Sequence, residues 1–248
     1  MDAVSSCAYV TDDRRSEPLA AKTPFPVELD ERLRDQLTFL IEVDHLKAIL
    51  RRSPLVATER RENDAEHSWH LAMMVVLLAE YSDEPIDTGH TVRLVLVHDL
   101  VEIYAGDTPL YAADGRDEQY EREARAATEL FGLLPEDQAS RLRTLWDEFE
   151  ERDTPEARFA KAMDRFQPLL LNWMARGGTW RTPGTTADDV RRRKAVIGDG
   201  STYLWEVGQR LIAEGESRLG PPRTIRRVIL SERPGVSTHP TGVIRSTL

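Results

Sequence analysis

Four side chains of this 248-residue chain combine the two ligand types that hold divalent cations at mixed nitrogen and oxygen sites. His67 and His98 each fall on the apolar face of a predicted helix, where a polar group needs a partner. Asp99 follows His98 directly, and Asp164 lies inside the apolar stretch FAKAMDRFQPLL. Because imidazole nitrogen and carboxylate oxygen suit a divalent cation, the set predicts an interior metal site with room for water and substrate.

Each of these residues, taken alone, also has a structural interpretation. A lone histidine on an apolar face is more often a core histidine bonded to the backbone than a ligand, and Asp164 could pair with Lys161 or Arg165. Their joint occurrence favours the metal site. A His-Asp pair ends an apolar helix, the segment EHSWH lies upstream, Glu102 follows one helical turn later, and Asp107 comes just beyond in AGDTP.

Apolar residues recur at helical spacing through most of the chain, which predicts an all-α fold. The predicted helices span about 29–50, 63–81, 88–104, 118–131, 136–151, 155–177 and 187–213. Asn63 and Asp64 are candidate caps of the second helix, and Thr154 with Pro155 opens the sixth. No long alternating pattern appears before residue 220, so strands are expected to be marginal. The charged fourth and fifth helices are expected to pack over the site.

The chain divides into three predicted parts. Residues 1–27 mix Ser, Thr, Pro and charges without periodicity, which is typical of a poorly ordered leader. Residues 28–215 form the folded domain. Residues 216–248 carry six Arg and two Glu and predict a basic Pro- and Arg-rich tail, either solvated or docked on the acidic body or on a partner.

Composition excludes several classes of function. The 33 basic and 43 acidic residues give a net charge of −10, which disfavours binding to nucleic acid. The longest apolar run, residues 71–79, is far shorter than the roughly 20 residues that span a membrane, so no membrane partner is expected. The acidic N-terminus does not resemble a secretory signal, and the single cysteine, Cys7, cannot form an internal disulfide. Together these features predict a cytoplasmic protein.

Four segments, in this order and spacing, resemble one known family. They are LKAILRRSPL, ENDAEHSWHLAMM, VHDLVEIYAGDTP and KAMDRFQPLL. The chain is similar over about residues 30–210 to the HD-domain metal-dependent phosphohydrolases, in the group that contains bacterial 5′-deoxynucleotidases and eukaryotic HD-domain relatives. The resemblance implies an HD-domain helical bundle with a divalent metal site in its core.

The resemblance also implies roles for individual residues. The implied metal ligands are His67, His98, Asp99 and Asp164. Glu102 and Asp107 correspond to catalytic and substrate-side carboxylates, which hold a second metal ion in some members, and Arg52 to an arginine that orients the substrate phosphate. Ser53 stands where the bacterial deoxynucleotidases have Trp, so the resemblance does not predict the sugar preference. Trp69 is interpreted as a core residue rather than a replacement for that Trp.

The activity that the resemblance implies is removal of the 5′-phosphate from (deoxy)nucleoside monophosphates by a metal-activated water. No histidine lies between His98 and His239, which favours one principal metal site and hydrolysis over oxidation. Mn, Co, Mg, Fe and Ni all remain candidates. A homodimer is expected. The alternatives are hydrolysis of another phosphorylated metabolite or of a nucleoside triphosphate, and a non-catalytic metal-binding scaffold, against which Glu102 and Asp107 argue.

Overall fold

A computed structural model describes residues 25–58, 60–106, 116–182 and 185–219. In these ranges the α-helices are α1 (Glu31–Val43), α2 (Asp64–Leu78), α3 (Thr88–Val97), α4 (Glu102–Ala105), α5 (Arg116–Phe131), α6 (Glu136–Glu151), α7 (Pro155–Met174), α8 (Ala187–Lys194) and α9 (Thr202–Leu219). Short 3₁₀ helices lie at Asp44–Ala48, Ala79–Tyr81, Gly178–Arg181 and Ala195–Asp199. The predicted all-α class is confirmed. Among the described helices, none is long and apolar enough to cross a membrane.

Helix α7 is the centre of the bundle. It packs against α2, α3, α6 and α9, and it buries residues on most of its circumference, including Phe159, Met163 and Leu169. Pro168 lies four residues after Asp164 and has no N–H to donate to the Asp164 carbonyl, so the helical hydrogen-bond ladder is interrupted there. The centre of the core helix therefore carries a buried carboxylate at a break in its own backbone hydrogen bonding.

The predicted helix caps formed at Asn63 and Thr154, whereas Asp64, the other candidate cap, is the first residue of α2. Asn63 Oδ1 accepts a hydrogen bond from the Glu66 amide at 2.9 Å, and Glu66 Oε2 accepts one from the Asn63 amide at 3.1 Å. This reciprocal pair satisfies two amides that the first turn of α2 cannot bond internally. At the start of α7, Thr154 Oγ1 accepts from the Ala157 amide at 3.1 Å, with Pro155 in the first helical turn. Both caps fix where a helix carrying a candidate ligand begins.

The first predicted helix was too long. Helix α1 ends at Val43, and after a 3₁₀ turn the chain forms strand β1 (Leu50–Pro54), which pairs antiparallel with β2 (Arg61–Asn63). The strand period of two turns Arg51 and Ser53 inward and leaves Leu50 and Arg52 exposed. Because β2 runs directly into α2, the pairing holds β1 beside the start of that helix.

The last predicted helix was also wrong. In place of one helix over 187–213 there are α8, a 3₁₀ turn and α9. The break falls where Gly200 passes α7 so closely that a Cβ at this position would lie 2.5 Å from the carbonyl oxygen of Arg158. Ser201 then bonds the Tyr81 carbonyl at 2.6 Å and accepts from the Leu204 amide at 3.1 Å. Tertiary contacts that are invisible in the periodicity impose this break.

The two predicted terminal segments fall mostly outside the described residues. Residues 1–24 and 220–248 are not among them. The predicted tail was placed from residue 216 onward, whereas α9 continues to Leu219.

Trp69 is not a core residue, because 65% of its surface is exposed. It lies two positions after the buried His67, and two residues correspond to about 200° around a helix. The side of α2 that packs against α3 and α7 carries His67, Leu71, Met74 and Val75. The other side exposes Trp69 to solvent.

Candidate metal centre

Three helices bring the four predicted ligands together. His67 lies on α2, His98 directly follows the last residue of α3 with Asp99 after it, and Asp164 lies on α7. All four side chains are buried. Ligand atoms of His67, His98 and Asp164 lie within 4.8 Å of one another, and Asp99 Oδ1 is 3.0 Å from His98 Nε2.

The protonation of His98 follows from its hydrogen bond. Its Nδ1 lies 2.9 Å from the Val95 carbonyl oxygen, which can only accept, so Nδ1 carries a proton and the neutral form of the ring has its lone pair on Nε2. His98 Nε2 is buried and makes no hydrogen bond within the described residues. Its neighbours are the oxygens of Asp99, at 3.0 Å, and Asp164, at 3.9 Å. A lone pair thus faces carboxylate oxygens, as in a ligand set for a cation.

A buried relay sets the same orientation for His67. Gln167 Nε2 donates to Glu62 Oε1 at 2.6 Å, so the amide oxygen of Gln167 is the atom that faces His67 Nδ1, at 3.1 Å. His67 therefore donates from Nδ1, and its Nε2 faces Asp164 Oδ1 at 3.2 Å. The Gln167 amide nitrogen also lies 3.2 Å from His70 Nδ1, so His70 contacts the residue that orients His67.

These residues fit a divalent cation. Two imidazole nitrogens that carry lone pairs and the oxygens of two carboxylates converge in the protein interior, where they repel one another unless positive charge lies between them. Burial and Arg51 lower the pKa of His67, but its hydrogen bonds to Asp164 and Glu62 outweigh them and leave that pKa raised. The site therefore attracts either a proton or a metal ion at the same place.

Replacing Gln167 with Leu is expected to weaken Mn²⁺ binding about 10- to 100-fold, because His67 loses the group that orients its ring. The measurement is calorimetric titration of Mn²⁺ into folded protein. His70→Gln is the matched control, since Glu62 still holds the Gln167 amide in place, and its affinity should stay near wild type. Equal affinities in all three proteins would show that the relay does not position His67.

Asp164 fits both interpretations of the sequence, because one of its oxygens pairs with cations and the other faces the candidate metal ligands. Its Oδ2 lies 3.3 Å from Arg165 Nη1 and 3.7 Å from Lys161 Nζ, while its Oδ1 faces the two histidines. Burial alone would raise the pKa of Asp164, but these cations and His67 hold it well below its usual value. Lys194 is buried nearby, and burial with the charge of Arg165 lowers its pKa to about 7. The positive charges of Arg165 and Lys161 thus lie beside Oδ2 of Asp164, and Oδ1 is the oxygen that faces the proposed metal site.

A second group of carboxylates adjoins the first. Oxygens of Asp64, Asp99 and Glu102 lie within 4.8 Å of one another. Asp99 belongs to both groups, since its Oδ1 faces His98 and its Oδ2 accepts from Arg51 Nη1 at 2.6 Å. Burial opposes the charge on Asp99, but His98 and Arg51 keep its pKa below the ordinary value. Burial and the neighbouring charges of Asp99 and Asp64 instead raise the pKa of Glu102 well above it. Two neighbouring acids of this group thus have pKa values shifted in opposite directions, raised for Glu102 and lowered for Asp99.

The remaining predicted residues fall in different places. Arg52 is exposed, and the adjacent Arg51 is the arginine that reaches the carboxylates. Asp107 lies outside the described residues. Helix α6 packs over the site as predicted, with the Phe149 ring centroid 4.7 Å from that of His98.

Sequence reasoning missed four residues that shape this site: Arg51, Glu62, Asp64 and Gln167. Asp64 was interpreted as a cap, although an acidic residue at the head of an apolar helix is also a candidate for burial. Gln167 lies three residues after Asp164, on the same side of α7, and that spacing was a signal for it.

Comparison with known proteins gives consistent results. Residues 43–205 match the family described as HD domain. The chain is 31% identical over 153 residues to the 5′-deoxynucleotidase HDDC2 of Bos taurus. The aligned residues cover 61% of this chain and 73% of that protein. It is 32% identical over 138 residues to HDDC2 of Homo sapiens, covering 55% and 66%.

Solved structures agree with the fold. A predicted metal-dependent phosphohydrolase from Magnetospirillum magnetotacticum MS-1 is 48% identical, with a TM-score of 0.72, over 79% of this chain and 96% of that one. The HD domain-containing protein YGK1 is 16% identical with a TM-score of 0.50, over 82% and 93%, and shows the fold alone. Since the family match covers well over half of the sequence and the helices that bear the His-Asp pair, this chain belongs to the HD domain family.

Proposed function

We propose that this protein is a metal-dependent phosphohydrolase that removes the 5′-phosphate from nucleoside and deoxynucleoside monophosphates. The observation that carries the proposal is the convergence of two histidine lone pairs and two ionised carboxylates beside Glu102, an acid with a raised pKa. The bovine and human relatives are named 5′-deoxynucleotidases, and the Magnetospirillum protein a metal-dependent phosphohydrolase. These names support the substrate class and the reaction.

The proposed ligands of one divalent ion are His67, His98, Asp99 and Asp164. An ion held there supplies a bound water of lowered pKa and a Lewis acid for a phosphate oxygen. Ligands of this mixed type do not select strongly among Mn, Co, Mg, Fe and Ni. The protein's own contribution is to bury the ligands and to fix both rings through Val95 and Gln167.

Three charged residues of the protein are proposed to act on the substrate. Arg52, exposed on β1 next to the inward Arg51, is proposed to orient the phosphate by bidentate hydrogen bonds. Glu102 is proposed to move a proton, either from the attacking water or to the leaving 5′-oxygen, because its raised pKa lets it hold one. Asp107 is proposed to contact the sugar or to share that transfer.

The experiment that tests the proposal measures products from a panel of ribo- and deoxyribonucleoside mono- and triphosphates. The protein is first stripped of metal and then reloaded with Mn²⁺, Co²⁺ or Mg²⁺. Orthophosphate and free nucleoside are expected from the monophosphates, and only in the reloaded protein. The ratio of ribose to deoxyribose turnover reports what Ser53 does at the position where bacterial deoxynucleotidases have Trp.

Two outcomes would contradict the proposal. Release of pyrophosphate or triphosphate from triphosphates, without turnover of monophosphates, would identify a triphosphate hydrolase. No release from any member of the panel, with the ion bound, would favour another phosphate ester or a metal-binding scaffold.

We also propose that the protein is a homodimer, with the outer face of α2 as the interface. This face carries four exposed apolar residues: Trp69, Met73, Val76 and Leu77. They recur at helical spacing and form one stripe, which is more apolar surface than a single helix of a monomer usually exposes. A second copy of the same face would bury it.

Light scattering at micromolar concentration is expected to give twice the chain mass of 28.2 kDa. Leu77→Glu should give monomers, because it places a charge in the buried stripe. Met174→Glu changes a similarly exposed residue at the end of α7 and should leave the dimer intact. A wild-type monomer, or dimers with both variants, would contradict this interface.

A further inference from the structure

One buried cation of the protein has no acidic partner. Lys194 is the last residue of α8, and only 4% of its surface is exposed. Among the described residues, its ammonium forms neither a hydrogen bond nor an ion pair. Because lysine is almost never buried unless it is paired, a ligand that supplies the missing negative charge is a candidate reason for this position.

The fold of α8 turns this lysine inward. Val190 and Lys194 are the buried residues of the helix, and their spacing of four places them on one face, against α7 and α9. Arg192 and Arg193 directly before the lysine are exposed. A capping box at Thr186 fixes where the helix begins. The lysine therefore belongs to the packed face of α8, although it ends a run of basic residues that is otherwise on the surface.

Two other cations in this region are already paired. Lys161 donates to Glu150 Oε1 at 3.4 Å, and Arg165 Nη1 lies 3.3 Å from Asp164 Oδ2. For Lys194, burial and the charge of Arg165 outweigh the attraction of Asp164, and they lower its pKa to about 7. The described residues thus leave one positive charge in this part of the interior without compensation.

Lys194 borders the candidate metal centre. Its charge interacts with those of Arg165 and Asp164 on α7 and with that of Arg51 on β1. Asp164 Oδ1 faces the two histidines, and Arg51 donates to Asp99 Oδ2 at 2.6 Å. The end of α8 therefore adds a cation to the side of the site where α7 and β1 meet.

We infer that Lys194 is a substrate-binding residue, whose ammonium holds oxygens of the substrate's phosphate together with the guanidinium of Arg165. A phosphate dianion supplies the charge that the protein lacks there, and hydrogen bonds from charged donors to phosphate oxygens are short and strong. Arg52 would contact the same phosphate from β1. The inference rests on the proposed function.

Stability separates this role from a structural one. If Lys194 holds the fold together, Lys194→Met should lower the midpoint of thermal unfolding. If the lysine is retained for a ligand, Met removes an uncompensated buried charge and keeps most of the side-chain length. Phosphate-free Lys194→Met should then unfold at a higher temperature than wild type.

The main test titrates inorganic phosphate into Mn²⁺-loaded protein by calorimetry and measures how phosphate inhibits hydrolysis of a nucleoside monophosphate. Wild-type protein is expected to bind phosphate in competition with the nucleotide. Lys194→Met should weaken phosphate binding and raise KM about 10- to 100-fold, the usual effect of losing one hydrogen bond to a charged group. Its kcat should change little, because the contact is made before and during the reaction alike.

Two further variants complete the test. Lys194→Gln keeps a polar side chain without the charge and should show the same loss of phosphate binding. Arg192→Met removes an exposed cation from the same helix and should bind phosphate as wild type does. The Mn²⁺ affinity of the Lys194 variants should not fall, since removing a positive charge does not weaken the binding of a cation.

The possible results separate this inference from the proposed function. A folded Lys194→Met or Lys194→Gln protein with wild-type phosphate affinity and KM would overturn the inference and leave the proposed function standing. Phosphate that inhibits without competing with the nucleotide would also overturn it, because the phosphate would then occupy another site. If loaded wild-type protein hydrolyses no monophosphate, the proposed function fails, and phosphate binding that depends on Lys194 would still support the anion site.

Discussion

Replacing Asp99 with Ala is expected to remove Mn²⁺ binding and phosphate release together. Asp99 serves both groups of carboxylates, since one of its oxygens lies 3.0 Å from His98 Nε2 and the other 2.6 Å from Arg51 Nη1. Its loss would take a charged group from the proposed metal site and leave Arg51 without its closest acid. The measurements are Mn²⁺ titration and orthophosphate release from the same folded preparation.

Asp188→Ala is the control for this prediction, because Asp188 is an exposed acid on α8 whose ion pair among the described residues is with Arg191. It should retain both metal binding and turnover. An Asp99→Ala protein that binds no metal and still hydrolyses monophosphates would contradict the proposed mechanism.

Glu102→Gln is expected to leave Mn²⁺ bound and to slow turnover by about 10²- to 10⁴-fold, the usual contribution of one proton-transfer group. Burial and the charges of Asp99 and Asp64 raise the pKa of Glu102, so it can carry a proton that Gln cannot transfer. The amide keeps the size of the side chain. The measurements are kcat and Mn²⁺ affinity. In Glu102→Gln only kcat should fall, whereas in Asp99→Ala both should fall.

Glu80→Gln offers a matched change at an exposed position of the turn after α2, and its turnover should equal that of wild type. If Glu102→Gln also keeps wild-type turnover, Glu102 has a structural role only. A loss of Mn²⁺ binding in Glu102→Gln would instead place Glu102 among the ligands.

The helices were the predictable part of the fold. Periodicity and the caps at Asn63 and Thr154 placed α2 and α7 nearly as the structure has them, because these signals are local to each helix. The strand at Leu50–Pro54 and the break before α9 were missed. Both depend on distant partners: β2 pairs with the first, and α7 passes Gly200 at the second.

The candidate site likewise has a part that is visible in the sequence and a part that depends on distant contacts. His67, His98, Asp99 and Asp164 stand out because polar groups on apolar helix faces are visible in one sequence. The relay from Glu62 through Gln167 joins residues 105 positions apart, and no local pattern reports such a contact. The sequence alone also cannot distinguish which of two adjacent arginines turns inward, since that depends on strand register. The dimer, the cytoplasmic location and the role of Asp107 stay predictions.

The most direct test of the account follows orthophosphate release from a deoxynucleoside 5′-monophosphate while Mn²⁺ is titrated into stripped protein. No release is expected before metal is added, and activity should then rise and level off when one ion per chain is bound. Release that is complete without metal would contradict the account. Metal-loaded protein that hydrolyses no nucleoside monophosphate would contradict it equally.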